Sequence, residues 1–294
     1  MILSKSNSLL LLHFIIIIWG FTGILGKIID LSSILIVLHR MIIASAALFL
    51  INKIIYRKIK IPTKDILKYF GIGLITAVHW LCFFESIKLS NVSLALICLS
   101  TISLFTAILD PILQKKSISF HEIILSLIVT FGIIIIFNFE SGYSTAILLS
   151  IISAFCGALF TILNHRLIKQ NHKAMIITAW EMLGGVIFIM IYLFIKNEIN
   201  TNILPQKKDI IYILILGLIC TAFAFSLSIE IMKKISPFTV NLTVNLEPIY
   251  AVILAIIIFG ESEIMSWEFY IGGFIIICSI FTNTYIKHKN LKIP

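Results

Sequence analysis

The sequence predicts an all-α polytopic membrane protein, with ten transmembrane helices arranged as two inverted five-helix repeats. Three observations carry that expectation. Of the 294 residues, 60% are hydrophobic and 13% charged, against roughly 45–50% and about 25% in soluble domains. The apolar residues gather into ten runs, most close to the ~20 residues that cross a hydrocarbon core. The second half of the chain also repeats the first at a nearly fixed offset.

The ten runs cover roughly 9–26, 31–51, 68–87, 92–113, 121–138, 146–164, 174–195, 209–230, 237–259 and 267–286. Short loops join them, and no stretch is left for a soluble domain. The first run follows Lys5 and lacks a small-residue cleavage site, so it reads as a retained helix. Cys82, Cys98, Cys156, Cys220 and Cys278 all lie inside apolar runs without metal-like spacing. They read as small buried residues rather than disulfides or ligands.

The formal charge of +9 does not point to nucleic acid, because the lysines cluster in short loops between apolar runs. Seventeen Lys and Arg fall on the side that holds both termini and five on the other, with Arg40 inside a helix. By the positive-inside rule both termini are cytoplasmic, which for this chain means a multi-pass protein of the cell (inner) membrane.

A shift of 145 residues lays Thr76 on Thr221, Glu85 on Glu230, Lys88 on Lys233 and Ser100 on Asn245. A slightly smaller shift lays Trp19-Gly20 on Cys156-Gly157 and Arg40-Met41 on Glu181-Met182. The repeats span 9–138 and 146–286, five helices each. Five is odd, so the second repeat enters the membrane the opposite way round. Inverted repeats of this kind are a transporter architecture, with the substrate site near the midplane between the halves.

The stretch Asn241–Glu261 carries the most chemistry. It is long enough to span, yet it holds Asn241, Asn245 and Glu247 in its first half and Pro248 near its centre. A carboxylate at mid-bilayer costs roughly 2.5–3.5 kcal/mol on insertion scales. Pro248 removes a backbone donor and is expected to kink the helix. Lipid tolerates neither unless neighbours or a water-lined cavity satisfy the freed groups. The face with Asn241, Asn245, Glu247 and Tyr250 is therefore expected to line a polar cavity. A kinked helix with a protonated, hydrogen-bonded Glu247 is the plainer alternative.

Other candidates lie in the first repeat. Arg40 is always charged and must find an acceptor or snorkel. Glu181 lies at a comparable depth, so the two are expected either to pair across the pseudo-symmetric helices or to be satisfied separately. Contact with substrate is the other role open to Arg40. His79 can exchange a proton near neutral pH, which suits proton coupling by His79 or Glu247; simple hydrogen bonding is its alternative. Trp19 and Trp80 offer aromatic walls, and Trp267 reads as an interfacial anchor. Glu85 and Glu230 lie three residues before Lys88 and Lys233, so each is expected to form an i,i+3 pair. His121-Glu122 begins like a zinc-protease helix, but position 125 is Leu, so no metal site is read. No phosphate-binding Gly-rich loop is present, which leaves ATP-driven transport unsupported.

These residues resemble the EamA family of the drug/metabolite transporter superfamily. The matching motifs are Leu-Ile-Cys-Thr-Ala-Phe-Ala-Phe at 218–225, Leu-Glu-Pro-Ile-Tyr-Ala at 246–251, Phe-Gly-Glu at 259–261 and the Trp267…Gly272-Gly273 helix. Trp19-Gly20, His39-Arg40-Met41 and Ser93–Leu109 extend the match into the first half. Ser103 stands where the family usually has proline, and Lys115-Lys116 where it usually has Gly-Glu. The resemblance implies a carrier of small metabolites, amino acids among them, often outward. It also implies a central cavity built mainly from helices three, four, eight and nine.

The function expected is thus a secondary transporter (permease or exporter) working by alternating access. It is not read as an enzyme and needs no cofactor. Its partners are a small-molecule substrate, the lipid bilayer and protons, without nucleic acid, as a monomer or homodimer. The alternatives are a lipid-linked sugar or nucleotide-sugar carrier, or a non-transport membrane enzyme or scaffold. Asp110, the one Asp well inside an apolar run, has no catalytic partner.

Overall fold

A computed structural model describes residues 4–56, 61–115, 120–198 and 204–290. Among them the regular elements are all helical. Helices α1 (Lys5–Ile28), α2 (Ser33–Tyr56) and α3 (Thr63–Leu89) are continuous. The fourth span is broken into α4 (Val92–Leu99) and α5 (Ile102–Leu113), and α6 (Phe120–Phe139) ends the first repeat. The second repeat opens with α7 (Ser144–Lys169) and α8 (Ala174–Ile195). Its third span runs as α9 (Ile210–Ile215), a π-helical segment (Leu216–Phe223) and α10 (Ala224–Ile231). Its fourth is again broken, into α11 (Pro237–Val244) and α12 (Glu247–Phe259), before α13 (Trp267–Asn290). Eight spans are long and apolar enough to cross a membrane. The apolar parts of α6 and α13, Leu127–Ile136 and Trp267–Ser279, are shorter. These ten elements are the ten runs read from the sequence.

The packing obeys the repeat. Helix α3 lies on α7 and α8, while the π segment and α10 lie on α1 and α2. Helices α4 and α5 pack on α7, and α12 packs on α1. The pairs α2·α8 and α6·α13 are self-matched across the pseudo-twofold. Glycines set the closest approaches. A Cβ on Gly73 would meet the Glu181 carbonyl oxygen at 2.1 Å, and one on Gly217 would meet the Arg40 carbonyl oxygen at 3.3 Å. Gly132 and Gly272 face each other's carbonyls where α6 crosses α13. In lipid, helices associate through such contacts because no hydrophobic force distinguishes a neighbour from an acyl chain.

The two breaks occupy equivalent positions 145 residues apart. At the first, Ser100 N bonds to Ile97 O (3.2 Å) and Thr101 N to Cys98 O (3.3 Å). At the second, Asn245 N bonds to Leu242 O (3.1 Å) and Leu246 N to Thr243 O (3.0 Å). Both are short i,i+3 turns inside a span. Their helices begin alike as well: the Asn91 side chain accepts from Leu94 N, and the Ser236 hydroxyl from Thr239 N. Ser103 in place of proline does not abolish the first break. There the Ser100 and Thr101 hydroxyls donate to Ile97 O (2.6 Å) and Cys98 O (2.8 Å), taking carbonyls that a regular helix would use.

Three expectations need correction, and one open alternative is decided. Pro248 is not the point of the break, which falls at Asn245–Leu246. Pro248 is the second residue of α12, in the first turn, where a missing N–H costs nothing. Arg40 and Glu181 do not pair. Each lies seven residues into its helix, but α2 and α8 start at opposite ends of the bundle, which separates the two by on the order of 10 Å along the helices. Lys233 pairs with Glu230 as expected, whereas Lys88 donates to Ile29 O (3.3 Å) instead of pairing with Glu85. The cysteines are free, but only Cys98 and Cys220 are buried; Cys278 is exposed.

The glycine contact at Gly73 makes a sharp test. Gly73→Ala is expected to lower stability by about 1–3 kcal/mol, the usual cost of overpacking. Gly71→Ala, with nothing within 4 Å of the new methyl, is expected to be neutral or slightly stabilising. Thermal unfolding of the two variants in detergent micelles checks both.

Candidate functional site

The irregular backbone converges on one cavity. It measures about 70 Å³ and lies between the repeats, lined by residues of α1, α2, α3, α7 and α10 and of both broken spans. Space of that size holds a few waters or a small polar group. Of the residues singled out in the sequence, it gathers Trp19, Arg40, His79, Trp80, Asn241 and Glu247.

Arg40 is 1% exposed. Its Nε donates to Thr221 Oγ1 (3.0 Å), and its guanidinium lies 3.7 Å from the centroid of the Trp80 ring. The stacking supplies the attraction of a desolvated cation for an aromatic face. The π segment places Thr221, whose hydroxyl reaches back five residues to Leu216 O (2.7 Å). Its repeat-mate Thr76 reaches back four, to Ile72 O, so only the second repeat carries this widened turn. The same segment offers Cys220 O to Trp19 Nε1 (3.1 Å). Arg40 Nη1 has no protein partner.

Glu247 is 6% exposed and opens α12. None of the four ion pairs among the described residues includes Arg40 or Glu247. The cavity therefore holds a cation and a carboxyl within electrostatic range of each other but not joined in a salt bridge.

His79 is pinned from α7. Its Nδ1 lies 2.7 Å from Ser153 O and 2.9 Å from Ser153 Oγ, and Ser153 Oγ donates to His79 O (2.8 Å). A carbonyl can only accept, so Nδ1 carries the hydrogen and Nε2 keeps the lone pair in the neutral ring. Gly157 makes room: a Cβ there would lie 3.3 Å from the imidazole. Aromatic rings continue the wall, from His79 to Phe160 (5.2 Å), Phe160 to Phe225 (5.5 Å) and Phe225 to Trp80 (5.7 Å).

Asn241 is fully engaged. It donates to Thr106 Oγ1 (2.7 Å) and accepts from Thr161 Oγ1 (3.3 Å), tying α11 to α5 and α7. Asn245 is not at the cavity wall; it is 1% exposed, and neither amide atom has a partner. Tyr250 turns away and is 41% exposed. Sequence patterns missed Phe160, Thr161 and Asn164, because nothing marks one face of α7 as special. Thr221 had a signal in its repeat relation to Thr76, although the π turn that uses it did not.

One end of the bundle is clamped. At the connection after α12, Glu263 is fully buried and pairs with Lys27 Nζ (2.7 Å) at the end of α1. The same carboxylate accepts from Val92 N (3.2 Å), Ser93 N (2.9 Å) and Ser93 Oγ (2.9 Å) at the start of α4. A carboxylate at a helix N-terminus meets both free N–H groups and the positive end of the helix dipole. This clamp joins the two repeats at the end opposite the termini.

Glu263→Ala is expected to cost about 2 kcal/mol or more, since it strands three donors. Lys27→Ala should cost less, because Lys27 is partly exposed and Glu263 keeps its other partners. Melting temperatures of the two variants decide the order.

A family model described as the EamA-like transporter family matches residues 6–138 and 144–285. No curated protein matches the chain. Among solved structures, one titled "Crystal structure of protein" has a TM-score of 0.70 and 14% identity, covering 96% of this chain and 99% of its own. That likeness concerns the fold alone.

Proposed function

The chain belongs to the EamA-like transporter family, a family of multi-pass membrane transporters, and on that premise we propose that it carries small zwitterionic metabolites, such as amino acids, by alternating access. One observation carries the substrate class: Arg40 and Glu247 line a single cavity without pairing with each other. A zwitterion brings a carboxylate and an ammonium into direct contact with the two groups, which do not contact each other. Its carboxylate goes to the free Nη1 of Arg40, which charge-assisted hydrogen bonding favours. Its ammonium goes to Glu247. The walls of Trp80, Phe225 and Phe160 exclude water, which strengthens both contacts. A phosphate-bearing substrate, as in a nucleotide-sugar carrier, calls for more cations, and Arg40 is the one Lys or Arg in the lining.

In this reading the two repeats rock about the cavity, with the Glu263–Lys27 clamp breaking when the clamped end opens. The termini are cytoplasmic, the clamped end faces outward, and the protein lies in the cell (inner) membrane. Coupling to protons falls to Glu247 or to His79, whose Nε2 is free to accept a proton. Trp19 and Asn241 hold the wall through bonds to Cys220 O and Thr106.

The test is transport by the purified protein in liposomes, scanned over a panel of amino acids and related metabolites with proton movement recorded. A zwitterionic amino acid is expected to be taken up with proton flux. Arg40→Gln and Glu247→Gln should each reduce uptake at least ~10-fold, equivalent to about 1.4 kcal/mol. A primary amine that lacks the carboxylate yet competes equally well would remove Arg40 from the site. Transport without proton flux, unchanged in Glu247→Gln and His79→Ala, would return both to structural roles.

A further inference from the structure

Glu181 is a charged residue type that the cavity described above does not use. It sits on α8, is 0% exposed, and lies about 10 Å from the start of the helix at 1.5 Å per residue. Its surroundings are sparse in donors. Asn164 Nδ2 reaches Oε2 at 3.4 Å, and Oε1 has no partner. None of the ion pairs among the described residues includes it. The neighbouring elements bring no cation to it. From α2, the guanidinium of Arg40 turns to Thr221 and Trp80. From α3 come Tyr69, within electrostatic range, and Gly73, whose missing side chain lets the helices touch. From α7 comes the neutral Asn164. Glu230, at the end of α10, is paired with Lys233, and the π segment offers no charged side chain.

An ionised carboxylate in that setting would carry a desolvation cost of several kcal/mol with a single long hydrogen bond against it. A protonated carboxyl carries no such cost. We propose that Glu181 is a proton-binding site of this protein, protonated in the conformation seen here and separate from the Arg40–Glu247 pair. The proton sits on a carboxylate oxygen of Glu181. It forms an O–H bond on binding and leaves as a bare proton to an acceptor on release, so the step needs no other reactant.

Two polar routes lead from the site. Asn164 bonds to Glu181 and also lines the central cavity, and its Oδ1 is unpartnered. The amide donates to Glu181 and takes no proton from it, so Asn164 marks where the carboxyl comes nearest the substrate space, and a proton released in that direction passes to water in the cavity. On the other side, Tyr69 Oη lies 2.5 Å from His172 Nδ1. His172 stands in the α7–α8 connection, at the end of the bundle that holds the termini. The Tyr69–His172 pair lies within electrostatic range of Glu181 without a hydrogen bond to it, so in this proposal a water bridges the pair at the boundary to the carboxyl one layer deeper. The surroundings of Glu181 favour its protonated form whether or not the substrate is a zwitterion.

Infrared spectroscopy of the purified protein in lipid nanodiscs tests it, with protons and deuterons as the probe. At neutral pH, the wild-type minus Glu181→Gln difference spectrum is expected to contain the C=O stretch of a protonated carboxyl, and Glu247→Gln should leave that band in place. Only ionised-carboxylate bands in the difference would overturn the proposal. Should Glu181→Gln fail to fold, Glu181→Asp gives the same comparison: a displaced protonated-carboxyl band supports the site, and an unchanged spectrum sinks it. The routes are read from the rate at which the band shifts after transfer to heavy water. Asn164→Leu or Tyr69→Phe is expected to slow that exchange several-fold. Exchange at the wild-type rate in both would overturn the two routes.

Discussion

Hydrocarbon cannot solvate a broken helix, and the whole architecture answers to that constraint. Each backbone N–H or C=O left open in lipid costs several kcal/mol. Among the described residues, the irregular segments inside the spans are the turns at Ser100–Thr101 and Asn245–Leu246 and the π segment at Leu216–Phe223. At two of them side chains on the inner face take up the freed groups: the Ser100 and Thr101 hydroxyls at the first turn, and the Trp19 indole and Thr221 hydroxyl at the π segment. Outward surfaces remain regular and apolar, as at Phe194, Ile257 and Leu127. A polar cavity between the repeats follows from the same requirement, since it is the one region where bent backbone and polar side chains can serve one another.

The pseudo-twofold is accurate for backbone and loose for chemistry. Capping residues, break positions and glycine contacts recur 140 to 145 residues apart. The functional side chains do not. Arg40 corresponds to Glu181, Ser100 to Asn245, and the π turn around Thr221 to a regular turn around Thr76. A symmetric frame lets the halves exchange roles as the bundle rocks, while asymmetric contents give the cavity one cation, one carboxyl and one aromatic wall. The clamp at Glu263 fits this division. It uses the buried start of α4, whose first N–H groups have no partner within the helix, and it lies at one end of the bundle only.

Much of the frame was legible in the sequence. Ten apolar runs became ten helical spans, several with the same ends to within a residue or two, because hydrophobic length is a direct statement about membrane thickness. The candidate cavity was legible in part. Trp19, Arg40, His79, Trp80, Asn241 and Glu247 stood out because polar or bulky residues inside apolar runs are costly and therefore visible. Phe160, Thr161 and Asn164 were invisible for the opposite reason: in a helix apolar on every side, the face that meets the cavity carries no signature. The depth of Glu181 was misjudged as comparable to that of Arg40, which had kept pairing open. Distance from a helix start says nothing about which face of the membrane the helix starts from until the inversion is applied.

The sequence by itself determined the membrane class, the spans, the repeat and the family motifs, since each depends on local composition or on spacing along the chain. The tertiary structure alone decided where the breaks fall and what each buried polar group touches. It moved the kink from Pro248 to Asn245–Leu246, separated Arg40 from Glu181, left Arg40 and Glu247 unpaired in one cavity and turned Tyr250 outward. Those outcomes depend on how neighbouring helices are rotated and on how closely their glycines let them approach, and packing between segments distant in sequence sets both.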